Sequence, residues 1–127
     1  MEVKSFENLE VWQMGRDLVT KVYMLTVSLP QSEAFGLAVQ IKRAALSIPA
    51  NIAEGFGRYH YLDKAKFYLN ARGSLYELKS HLLIAQELGY LKHSQAVSNV
   101  FTLIDNLSVK LNNLIATTRK LKNKESH

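Results

Sequence analysis

The 127-residue sequence contains no cysteine. That excludes a disulfide scaffold, a zinc–thiolate or iron–sulfur centre and a cysteine nucleophile. Proline and glycine are scarce, 2 and 6 residues, so the chain suits a few long elements joined by short turns. No apolar run reaches the roughly 18 residues a membrane span requires. No basic segment followed by an apolar core opens the sequence. These absences predict a soluble cytoplasmic protein. What is present is 47% apolar and 21% charged residues, enough for one globular domain spanning residues 1–127 with a substantial core.

The formal net charge of +5 comes from 16 Lys and Arg against 11 Asp and Glu. It is graded along the chain, slightly negative over residues 1–30 and most positive over 93–127. The sequence closes on a basic tail, 119–127, carrying Arg119, Lys120, Lys122 and Lys124. Such a tail can meet phosphates. Cations in a last helical turn also complement the helix dipole and favour solubility.

Pro30, the pair Gly55 and Gly57, and Gly89 divide the chain into four segments, each with apolar residues at helical spacing. The first, about 7–29, places Val11, Met14, Leu18, Val22, Leu25 and Leu29 on one face, with Ser5 or Asn8 as cap. The second, about 33–56, has Ser32 as cap and Leu37, Ile41, Ala45, Ile48 and Ile52 as its stripe. Pro49 inside it predicts a kink and not a stop, because the period continues. The third, about 62–88, steps through Tyr68, Ala71, Leu75, Leu78, Leu82 and Ala85, with Gly89 as its left-handed terminator. The fourth, about 95–122, is capped by Ser94. Its seam is Val97, Val100, Ile104, Leu107, Leu111, Leu114, Thr118 and Leu121, a heptad pattern. No segment alternates with period two. The expectation is an all-α, antiparallel up-and-down four-helix bundle.

The second segment has two further strips when wound at about 100° per residue. Gln40, Ser47, Asn51, Glu54 and Arg58 form a polar one. Val39, Leu46, Ala50 and Ala53 form an apolar one opposite the core stripe. An apolar strip facing away from the core predicts an interface, most economically with further copies of the chain.

Catalytic and metal-binding patterns are largely missing. The Glu-x-x-His pair of di-metal bundles does not occur. Glu77 and His81 stand one turn apart, too few ligands for a metal. There is no phosphate-binding G-x-x-x-x-G-K-[ST] and no G-x-G-x-x-G. The G-F-G at 55–57 reads as a turn, and Ser74 lacks a nucleophile-elbow context. The unusual patch is Ser47, Asn51 and Glu54 in SIPANIAEG, 47–55. Polar groups beside apolar ones need partners, so this patch is expected to bond to another helix or to carbonyls freed by Pro49. A small-ligand or enzymatic site on Asn51, Glu54 and Glu77 is the weaker alternative.

The motifs FENLEVWQ (6–13), FGLAVQIKR (35–43), SIPANIAEG (47–55), GSLYEL (73–78) and LGYL (88–91) occur in this order. On them the chain resembles the four-helix-bundle family encoded within intervening sequences of bacterial 23S ribosomal RNA genes. Arg72 stands where many relatives carry a small or apolar residue. The resemblance implies a ring-shaped homopentamer and no enzymatic activity. It also implies a relation to accessory bundle proteins of retroelements, basic rings that engage nucleic acid and a reverse transcriptase. The expected function is therefore a non-enzymatic, cofactor-free, RNA-binding oligomer. Arg119, Lys120, Lys122 and Lys124 would contact phosphates, with Lys42, Arg43, Arg58, Lys64 and Lys66 in support. The alternative is a scaffold that docks a protein partner without binding nucleic acid.

Overall fold

A computed structural model of the protein describes residues 3–125, with side chains placed as far as residue 122. Four α-helices make up the described chain: α1 (Glu10–Thr26), α2 (Leu37–Gly57), α3 (Tyr61–Glu87) and α4 (Gln95–Glu125). Short 3-10 turns at Phe6–Asn8 and Gln31–Glu33 precede α1 and α2. No strand occurs among the described residues, and no helix among them is long and apolar enough to cross a membrane.

Each boundary has a local cause. The chain enters through the Phe6–Asn8 turn, where Ser5 Oγ accepts from the Glu7 amide at 3.3 Å. Phe6 packs edge-on against Trp12, centroids 5.1 Å apart. α1 therefore begins three residues later than the periodicity suggests. It also stops earlier, at Thr26, because Leu29 precedes Pro30 and is biased away from helix. α2 begins at Leu37 and not beside Ser32. Gly36 leaves the helical region, and Glu33 takes over the capping, its Oε1 accepting from the Leu37 amide at 3.2 Å. The helix then runs through Pro49 without a stop. The G-F-G is not a turn: both glycines lie in the last turn of α2, and the chain leaves the helix at Arg58.

α3 ends as expected. Gly89 has φ +80°, with the Gly89 amide on the Gln86 carbonyl and the Tyr90 amide on the Ala85 carbonyl, both at 2.9 Å. This is the paired hydrogen bonding of a Schellman cap. Ser94 caps α4 through the Val97 amide at 3.2 Å. The α4 seam departs from the heptad near its end. Ile115 is buried where Leu114 was expected, Leu114 is half-buried, and Leu121 is exposed. A straight helix drifts away from a 3.5-residue repeat by about 20° per heptad, which hands the core position to the next residue. Thr118 stays buried because its hydroxyl donates to the Leu114 carbonyl at 2.7 Å.

Contacts between helices fix the arrangement. Successive helices pack together, and α1 closes the cycle against α4. Lys79 meets Asp105 and Arg72 meets Asn112, both at 3.0 Å. Moving down α3 from one pair to the other moves up α4 by the same number of residues, so the two helices are antiparallel. Arg43 with Glu77 and Lys64 with the Phe56 carbonyl set the same sense for α2 and α3. Leu18, Ile41, Ile48, Ile52, Leu75, Leu78, Leu82, Ile104, Leu107 and Leu111 fill the interior. Burial of such side chains is worth about 1.5–3 kcal/mol each before entropy is counted.

Candidate nucleic-acid interface

The antiparallel order brings the C-terminus of α2, the N-terminus of α3 and the C-terminus of α4 to one end of the bundle. This end collects most of the predicted phosphate-binding residues. Continuing the α3–α4 register from Arg72 and Asn112 puts residue 64 level with 120 and residue 66 level with 118. Lys66, Arg119 and Lys120 thus lie within about one helical turn of each other along the bundle axis. All three are exposed, and none holds an ion pair or hydrogen bond to a described residue. Lys122 is half-buried. The Lys124 side chain lies outside the described residues.

The remaining predicted cations are committed elsewhere. Lys64 Nζ donates to the Phe56 carbonyl at 2.7 Å and lies over the Phe56 ring. It satisfies an end carbonyl of α2, where a cation also complements the helix dipole. Burial holds its pKa below the usual lysine value. Arg58 pairs with Glu54 at 3.4 Å and lays its guanidinium over Phe67, 4.5 Å from the ring centroid. Lys42 lies over the Tyr23 ring, 5.1 Å from its centroid, on the α1 side of α2. Arg43 bonds to Gln40 and Glu77. Lys42 and Arg43 belong to the first turns of α2, towards the opposite end, and do not join the basic group.

The polar patch on α2 is satisfied within its own helix. Ser47 Oγ donates to the Ala44 carbonyl at 2.8 Å, and Asn51 Nδ2 donates to the Ser47 carbonyl at 2.7 Å. Glu54 is exposed and meets only Arg58, one turn on. The clamp expected between helices is not formed, because each of these groups finds a partner one turn away. Glu77 stands at the level of residue 43, about 12 Å along the axis from Asn51 and about 16 Å from Glu54. It accepts from Arg43 and lies 3.2 Å from His81 Nε2. Burial pushes its pKa up, but the hydrogen bonds from His81 and Arg43 outweigh that and hold it below the usual carboxylate value. Asn51, Glu54 and Glu77 therefore share no site. No group of three or more acidic or histidine side chains among the described residues is placed to hold a metal ion.

The outer strip of α2 is where the periodicity put it. Val39 is 43% and Leu46 49% exposed, Ala50 is exposed and Ala53 half-buried. Beside it, Ala50, Ala53, Gly57 and Arg58 line a shallow open depression. α3 exposes Leu62, Tyr76 and Leu83. Two features had no clear signal in the sequence. One is a cleft of about 530 Å³ at the opposite end of the bundle, between Met24, Leu25, Leu91, Val97 and the flanking Lys21 and Lys92. It depends on where α1 stops and α4 starts. The other is the near-complete exposure of Phe35 and Tyr59. Both lie in connections whose path periodicity does not determine.

The fold defines a class: an all-helical, four-helix bundle, here with Lys66, Arg119 and Lys120 at one end. Residues 7–113 match the family of 23S rRNA-intervening sequence proteins. The chain belongs to that family. No curated protein matches it.

Proposed function

We propose that the protein is a non-enzymatic, homo-oligomeric bundle that binds RNA through its basic end in the cytoplasm. The observation that carries this reading is the convergence of Lys66, Arg119 and Lys120, exposed and unengaged, at one end of the bundle. Lys66 is far from the adjacent Arg119 and Lys120 in sequence and comes to their level only through the antiparallel register. Phosphate contacts of this kind give affinity without sequence readout. The exposed apolar strip on α2 supports self-association, and the family resemblance favours a pentameric ring. Five copies of a +5 chain would carry about +25, so that contacts weak in one protomer add through avidity.

The test is fluorescence anisotropy with labelled RNA across a salt series, using the full chain and an R119E/K120E variant, beside the solution mass of each. Submicromolar binding at low salt is expected, falling steeply as salt rises. The charge reversal should weaken binding at least tenfold and lower the salt slope by about one per lost phosphate contact. No binding by the unmodified chain at low salt would refute the reading. The function would then lie with protein docking, for which Met24, Val27, Phe35 and Leu88, all exposed, are the available apolar groups.

A further inference from the structure

Three residues, 58–60, join α2 to α3 at the basic end. Arg58 is the extended residue that ends α2, and His60 the extended residue that opens α3. Tyr59 stands between them, 85% exposed. The Tyr59 and His60 rings form a T-shaped pair, centroids 5.0 Å apart and planes at 90°. The cations beside it in sequence are turned onto other rings, Arg58 onto Phe67 and Lys64 onto Phe56. The aromatic surface of Tyr59 is therefore presented to solvent on a short connection held by two long helices. Lys66 follows within about two turns, and α4 brings Arg119 and Lys120 to the same level.

We propose that Tyr59 is a base-stacking platform and that the basic end takes single-stranded RNA. This rests on the reading of that end as an RNA interface and specifies its ligand. An exposed ring flanked by cations that track a phosphate chain is the arrangement that binds unpaired nucleotides. Stacking on such a ring tolerates any base, because every base offers a π-face. A duplex keeps its bases stacked on each other and gives this ring nothing to hold. A short anchored connection also limits the conformational entropy lost on binding. A protein partner would gain from the ring's apolar area but has no need of three exposed cations at one level of the bundle.

The experiment compares a single-stranded RNA of about 12 nucleotides, free of self-pairing, with the corresponding duplex. Affinities are read by anisotropy at fixed low salt for the full chain, Y59A and Y59F, with helical circular dichroism confirming each fold. The unmodified chain should prefer the single strand. Y59A should weaken single-strand binding by about 5- to 150-fold, the equivalent of 1–3 kcal/mol for one stacked base. Duplex binding should stay unchanged, and Y59F should bind the single strand as the unmodified chain does. The proposal is overturned if Y59A leaves single-strand affinity intact, or if it weakens single strand and duplex equally. RNA binding with a silent Y59A removes the stacking role alone. Failure of the unmodified chain to bind either RNA removes the RNA interface as well.

Discussion

α2 carries two apolar strips of similar composition and opposite fate. Ile41, Ala45, Ile48 and Ile52 are sealed in the interior, whereas Val39 and Leu46 on the far side are almost half exposed. The inner strip faces the other helices of the bundle. The outer one is only partly covered within the protomer, with Ala50 exposed and Ala53 half-buried. Apolar spacing thus reveals how many faces a helix has, and the neighbours decide which of them is covered. α3 makes the same point, since its seam from Ala65 to Ala85 is buried while Leu62, Tyr76 and Leu83 remain outside.

The two strips should separate most clearly under truncation. I48A removes a fully buried side chain and should cost about 2–5 kcal/mol in urea unfolding, through lost burial and a residual cavity. L46A should cost less than about 0.5 kcal/mol in dilute protein. At higher concentration its cost should grow, because oligomerisation through the outer strip contributes to stability by mass action. L46E should lower the solution mass to one protomer while leaving the helix content intact. An L46A loss equal to that of I48A at every concentration would erase the distinction between the strips.

Much of this was legible before any coordinates. The count and order of helices follow from spacing, and the caps at Ser94 and Gly89 follow from residue type and position. The outer strip followed from wheel arithmetic on Ile41. What escaped depended on meetings distant in sequence. Lys64 looked like a free cation, and only the return of α3 past the end of α2 gives it the Phe56 carbonyl. Ser47 and Asn51 looked in need of a partner helix, yet their own backbone sufficed. Gly55 looked like a turn because sequence shows a missing side chain but not the ring that needs the space. Arg72 ties α3 to α4 through Asn112.

That glycine sharpens the comparison of inside with outside. A methyl group at Gly55 would stand 2.7 Å from Tyr68 Cε1 and 3.1 Å from the Lys64 carbonyl. Tyr68 is itself 3% exposed, so the ring has little room to yield. G55A should destabilise by about 1–3 kcal/mol. Gly73 lies within α3 on its exposed side, with nothing within 4 Å of such a methyl. G73A should stabilise by about 0.5–1 kcal/mol, because alanine loses less backbone entropy in a helix. Equal effects from the two substitutions would mean that Tyr68 does not press on α2.

The smallest effect concerns the ion pair at the flank of the outer strip. Glu77 has a pKa held below the carboxylate value by His81 and Arg43, against the opposing effect of burial. A depressed carboxyl stabilises the fold at pH values above the unfolded carboxyl's, about 4.3. That contribution is lost as pH falls through the lower folded value. Arg43 is about half exposed and Glu77 about a third exposed in the protomer, so the contribution should be only about 0.2–1 kcal/mol. Unfolding midpoints between pH 7 and pH 3 should therefore fall less steeply in E77Q than in the unmodified chain. Arg43 lies between Val39 and Leu46 in α2, so an assembly that covers the outer strip also shields this pair from water. The difference between E77Q and the unmodified chain should then widen as protein concentration rises. A difference independent of concentration would place the outer strip in solvent and leave self-association to another face.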